Sequence, residues 1–181
     1  DRFRLNAAAF YYAVDDMQLT AVGGADNSTR LLNAEEGVGY GIELELDYVV
    51  NENLILSAGY GYNRTEINES GLATAPCGSG ICTVLDPVVT IGEDDFAIID
   101  GNPFQHAPKW TLNFEVDYRR PLASGNEFYL FTDWKVKGET NDFLYENIEF
   151  TYDDQFEGGL RAGYRNLDRN WEIGLFGRNI T

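Results

Sequence analysis

Histidine and cysteine are nearly missing from this chain: His106 stands alone, and Cys77 and Cys82 are its two cysteines. That scarcity bears on chemistry. A serine or cysteine hydrolase needs a base beside its nucleophile, and the one histidine lies between Pro103 and Pro108 at an expected strand entrance. Two cysteines and one histidine supply at most three ligands, so a zinc centre is not expected either. Basic residues are also few, 13 against 30 acidic, for a net charge of -17. Without a basic patch such a chain repels polyanions, which argues against nucleic acid as a partner. No stretch approaches the roughly 20 consecutive apolar residues of a spanning helix, so any membrane role falls to strands or to an anchor. A strand in a barrel meets lipid only at every second residue, and a modest average hydropathy is no argument against it.

What is present is apolar and aromatic material, 44% and 14% of the residues, with 19 glycines and 5 prolines, enough for one domain-sized ordered unit. The chain opens at Asp1 with no initiator Met, basic region or apolar targeting segment, so it is expected to be processed or to be part of something larger. Cys77 and Cys82 lie close together in a glycine-rich stretch. The spacing suits a local disulfide in an oxidising compartment, with free loop thiols as the alternative.

The dominant signal has period two. In residues 40–48 the even positions are Tyr40, Ile42, Leu44, Leu46 and Tyr48, and the odd ones are Gly41, Glu43, Glu45 and Asp47. A helix would scatter those acids around its circumference, whereas a strand puts them on one face. The same alternation runs through 3–12, 54–63, 110–118, 128–137, 156–165 and 171–178, predicting about seven strands. Connections between them alternate in length. Residues 51–53, 121–126 and 166–170 are short and rich in turn formers, while about 21–36, 66–105 and 138–152 are long. An up-and-down antiparallel barrel in the outer membrane has this asymmetry, with tight periplasmic turns and long external loops.

Alternation alone also fits a soluble β-sandwich, whose apolar faces meet in a dry core. Run length favours lipid. Several alternating runs reach about nine or ten residues, as a tilted membrane strand requires, against about five or six in soluble strands. Tyr48, Tyr118 and Phe128 fall near the turn ends of their strands and Trp110 near a loop end, the placement of interfacial aromatic girdles. Tyr40, Ile42, Leu44, Leu56, Leu112, Phe114 and Leu130 are then expected to face lipid, and Glu43, Glu45, Asp47, Asn113, Glu115 and Asp117 the lumen.

The stretch from Gly37 to Leu46, followed by that from Leu54 to Asn63, resembles the "G-hydrophobic-E-hydrophobic-E" hairpin of TonB-dependent outer-membrane receptors. The segment 102–110, with Pro103, Pro108 and Trp110, resembles that family's "P-x-x-P-x-(aromatic)" return after a long external loop, and 171–181 resembles its penultimate region. The resemblance implies an all-β transmembrane barrel of roughly 22 strands around a plug. It also implies a role in active uptake of a scarce nutrient such as a ferric siderophore, energised through TonB. No plug, TonB-contacting box or final aromatic-ended strand is seen, so residues 1–181 are expected to be part of the barrel. The expected partners are outer-membrane lipid, the rest of the barrel, the plug with TonB, and a small nutrient or metal-chelate ligand.

Other motifs weigh less. Glu43, Glu45 and Asp47 sit at alternate positions of one strand, a wetted wall more simply than a paired-carboxylate site. Gly37-x-Gly39-x-Gly41 runs into a strand where a dinucleotide loop needs a helix N-terminus, and no cofactor is expected. Glu93, Asp94 and Asp95 in the longest loop, and Phe143 and Tyr145 in the last one, are candidate ligand contacts; the alternative is a solvated acidic run and aromatics that pack their own loop. Two further readings of the whole chain stay open: a complete small barrel of eight strands, and a secreted β-sandwich binding module.

Overall fold

A computed structural model describes residues 2–166, 168 and 170–181, with Ser79 described by its backbone alone. The strands in chain order are β1 Phe3–Gly23, β2 Ser28–Asn51, β3 Leu54–Asn68, β4 Ala73–Thr74, β5 Val88–Ile91, β6 Asp94–Ile98, β7 Trp110–Pro121, β8 Asn126–Lys137, β9 Thr140–Asn141, β10 Thr151–Tyr152, β11 Gln155–Asn166 and β12 Trp171–Arg178. Seven of them form one antiparallel sheet, ordered β1-β2-β3-β7-β8-β11-β12, in which every strand pairs with its predecessor in the wall. The seven alternating runs are these seven strands. The short connections fall where turn chemistry puts them: Asn51 Oδ1 accepts from the Asn53 amide, and Gly125 takes the left-handed conformation at φ 76°. The third, over 166–170, lies partly outside the described residues.

Register sorts the side chains into two faces. One apolar row crosses six strands as Ala7, Leu44, Tyr60, Leu112, Val136 and Phe156. The next holds Leu5, Leu46, Ala58, Phe114 and Trp134, ending at Gly158, whose missing Cβ leaves room for the Trp134 ring. Phe114, Trp134 and Phe156 stack side by side along this face. No second sheet covers it among the described residues, and Ile42, Leu44 and Leu175 are 43%, 37% and 82% exposed. A sandwich core would have buried them. Aromatics close the face at both ends, with Tyr11 opposite Tyr40 and Tyr62 opposite Trp110 at the loop end, and Phe3 opposite Tyr48 and Phe128 opposite Tyr164 at the turn end. From Trp110 to Tyr118 the strand has nine residues, about the number with which a tilted strand crosses an outer-membrane apolar band.

The opposite face alternates charge with glycine. Tyr12 lies over Gly39, Phe10 over Gly41, and Tyr129 across Gly163 and Gly174, so that each ring fills the space a missing Cβ leaves on the neighbouring strand. A Cβ at Gly41 would sit 2.0 Å from the Tyr62 carbonyl oxygen, whereas one at Gly61 meets only the Thr111 hydroxyl at 2.9 Å. Backbone cannot yield as a hydroxyl can. Gly41→Ala is therefore expected to cost about 1–3 kcal/mol of overpacking and Gly61→Ala under about 1 kcal/mol. Urea unfolding of the folded protein in detergent reads the difference, and equal costs would remove the close-packing account.

Two expectations need correction. The connection expected over 21–36 is a tight turn, since β1 continues to Gly23 and β2 begins at Ser28. The paired strands go on well past the apolar band. At Asp16, with φ 51°, the chain takes one left-handed step, and beyond it odd-numbered Met17 reaches the glycine face at Gly37 that even-numbered Tyr12 occupied before. That change of parity hid the continuation. The connections expected over 66–105 and 138–152 are not bare loops either: β4, β5 and β6 make a small sheet in the first, and β9 pairs with β10 in the second.

Candidate functional site

Among the described residues, the one large buried core lies at the loop end, on the glycine-face side of the wall. Leu19, Ala21, Ala34, Ile67, Ala97, Ile99, Leu144 and Tyr145 form it, drawn from the β1–β2 extension and both long connections. Polar groups tie it together. The Asn102 side chain donates through Nδ2 to Asp86 Oδ2 at 2.7 Å and to the Leu144 carbonyl at 3.0 Å, and the Glu146 backbone amide donates to the same Asp86 oxygen at 2.6 Å. The Thr83 amide and hydroxyl both donate to Glu149, at 2.7 Å each, holding that carboxyl below its ordinary range, so this tie weakens as pH falls through its lowered value.

Cys77 and Cys82 are joined in a disulfide at the meeting point of three segments. Gly24 of the β1–β2 turn donates to the Pro76 carbonyl at 2.8 Å, and the Gly78 amide donates to Asn27 Oδ1 at 2.7 Å. From the last connection, the Tyr145 hydroxyl accepts the Cys77 amide at 2.9 Å. Tyr145 is 1% exposed, and burial raises its phenol above the ordinary value. Its placement corrects the ligand-contact expectation: the ring packs the loop unit, parallel to the half-buried Phe143 at 5.2 Å. Glu93 stands in the exposed turn between β5 and β6 with Asp94 beside it, while Asp95 accepts the Thr90 hydroxyl at 2.7 Å.

On the sheet, Glu43, Glu45, Asp47, Asn113, Glu115 and Asp117 share the glycine face. Asn6 donates to Glu45 at 3.2 Å and Ser57 to Asp47 at 2.7 Å, while Asn113 leans over Gly59. Sequence reasoning missed the other half of this face. There Arg161 and Arg165 flank the Tyr129 ring at 5.4 and 5.5 Å, Glu172 accepts from both Tyr129 and Arg161, Glu127 pairs with Arg165, and Asp133 with Arg178. The available signal was opposite charge at matching polar positions of neighbouring alternating runs.

The sequence matches the family model described as "TonB dependent receptor-like, beta-barrel" over residues 1–180. The chain belongs to that family. Among solved structures, it is similar to the ferric yersiniabactin uptake receptor FyuA from Yersinia pestis, with a TM-score of 0.68 and 16% identity over 99% of this chain. It spans 22% of that receptor's length, and at this identity the likeness shows the fold. No curated protein sequence matches. A TonB-dependent receptor barrel accounts for both halves of the architecture described above, an apolar face that no protein layer covers and a charged face lined with glycine.

Proposed function

We propose that this chain is one sector of a larger outer-membrane barrel whose parent protein takes up a scarce nutrient, such as a ferric siderophore, with energy delivered by TonB. The observation that carries the reading is the bare apolar face, continuous across the strands and bounded at both ends by aromatics. In hydrocarbon every backbone group must be paired, so the outer edges of β1 and β12 are completed by other strands of the wall. On this reading Tyr40, Ile42, Leu44, Leu56, Leu112, Phe114 and Leu130 meet lipid. Glu43, Glu45, Asp47, Asn113, Glu115 and Asp117 then line a lumen that holds the plug, and the loop unit stands outside the cell, with Glu93, Asp94 and Asp95 steering ligand at its rim.

Iron-starved cells with and without the parent receptor, given radiolabelled iron as a panel of ferric chelates, test this. Deleting the receptor should lower uptake of at least one chelate about tenfold or more, and a protonophore should do the same, as binding energy alone does not concentrate a ligand across a membrane. Uptake unchanged by deletion for every chelate would remove the iron reading.

A further inference from the structure

We propose that the cleft at the loop end, between residues 103–110 on one side and 139–154 on the other, is a recess for an organic cation. Its volume is about 560 Å³, within the range of small-molecule sites of roughly 300–1,000 Å³. Phe104, Trp110, Leu85 and Ile148 give it apolar and aromatic lining. Its scaffold is built before any ligand arrives: Asn147 is fully buried, donates to the Tyr145 carbonyl and accepts the Phe150 amide, and Thr140 is buried beside it. Four exposed carboxylates, Glu139, Glu146, Asp153 and Asp154, line the cleft against one lysine, Lys109, which leaves its wall net negative, and among the described residues none of the four takes an ion-pair partner.

The surroundings reinforce that sign. Between Glu66 and Gln105 there are seven Asp and Glu and no Lys or Arg, and between Glu139 and Asp154 six and none. A recess opening into such a field concentrates cations and repels carboxylate-rich anions. The comparably large hollow beside Phe131 and Phe176 has no such preference, because its Arg161 and Arg178 are already paired with Glu172 and Asp133.

This inference rests on the uptake reading for the orientation of the loop end, and the test keeps the two apart. The parent receptor in detergent is titrated with proflavine, a planar cation, and with fluorescein, a planar anion of similar size, following probe anisotropy. Proflavine should bind saturably and fluorescein should not. Glu146→Gln with Asp153→Asn should weaken proflavine about tenfold, and Asp15→Asn with Asp16→Asn, exposed on β1 and outside the cleft lining, less than about twofold. The recess is overturned by absent or equal binding of the two probes, by an unchanged Glu146/Asp153 variant, or by an equal loss in the β1 variant, which would assign binding to the diffuse field. If proflavine binds as described while no chelate depends on the receptor in cells, the uptake reading fails and the recess stands.

Discussion

Replacing Phe114 by Arg is expected to remove about 2–4 kcal/mol from the folded barrel, the cost of a guanidinium on the lipid face near the middle of a bilayer. Phe114 sits in the apolar row between Ala58 and Trp134, midway between the Trp110 and Tyr118 ends of its strand. A long side chain there snorkels poorly past its aromatic neighbours, and no carboxylate shares the face to receive it. The adjacent Asn113→Arg is the control. It points to the glycine face, opposite Lys135 on one side and Gly59 on the other, with Glu45 and Glu115 near, and should cost under about 1 kcal/mol. Urea unfolding of the parent receptor in lipid vesicles reads both. Similar costs for the two neighbours would mean that period two does not separate lipid from water here, and with it would go the membrane assignment of every strand.

That experiment probes the part of the fold most legible in the sequence. A pleated strand converts a period of two directly into two faces, so the acids at 43, 45 and 47 and the apolar residues between them announced their faces with no tertiary information. The tight turns were equally plain, because Asn and Gly at 51–53 and 125–126 report local backbone needs. The β1–β2 extension was not plain, for a physical reason. Once past Asp16 the hairpin leaves the apolar band, its parity changes, and its few apolar residues are chosen to fit a folded loop unit of particular shape. The arginine, tyrosine and glutamate network on β8, β11 and β12 needed the register of three strands at once. Tyr145 lay open to two readings in the sequence, ligand contact or packing, because an aromatic in a long loop looks alike in both.

The position of Tyr145 leads to the second large effect. Tyr145→Ala should cost the loop unit about 3–5 kcal/mol, because truncating a fully buried aromatic removes its transfer energy and leaves a cavity among Ile67, Ile99 and Leu144. It also deprives the Cys77 amide of its acceptor beside the disulfide, where the β1–β2 turn and both long connections converge. Tyr145→Phe keeps the ring and loses that single bond, worth about 0.5–1.5 kcal/mol. The band-crossing parts of the wall have their own ladders and contribute no residue to this core, so the loss should stay local. Hydrogen exchange followed by mass spectrometry should show residues 66–105 and 138–152 exchanging roughly a hundredfold faster or more in the alanine variant, with residues 54–65 of β3, β7 and β8 unchanged. If the alanine and phenylalanine variants exchange alike, the ring does not hold the loops together. If β3 and β7 loosen with them, the loop unit and the wall are one cooperative body, and the loop end is a load on the barrel's stability in addition to a surface for ligands.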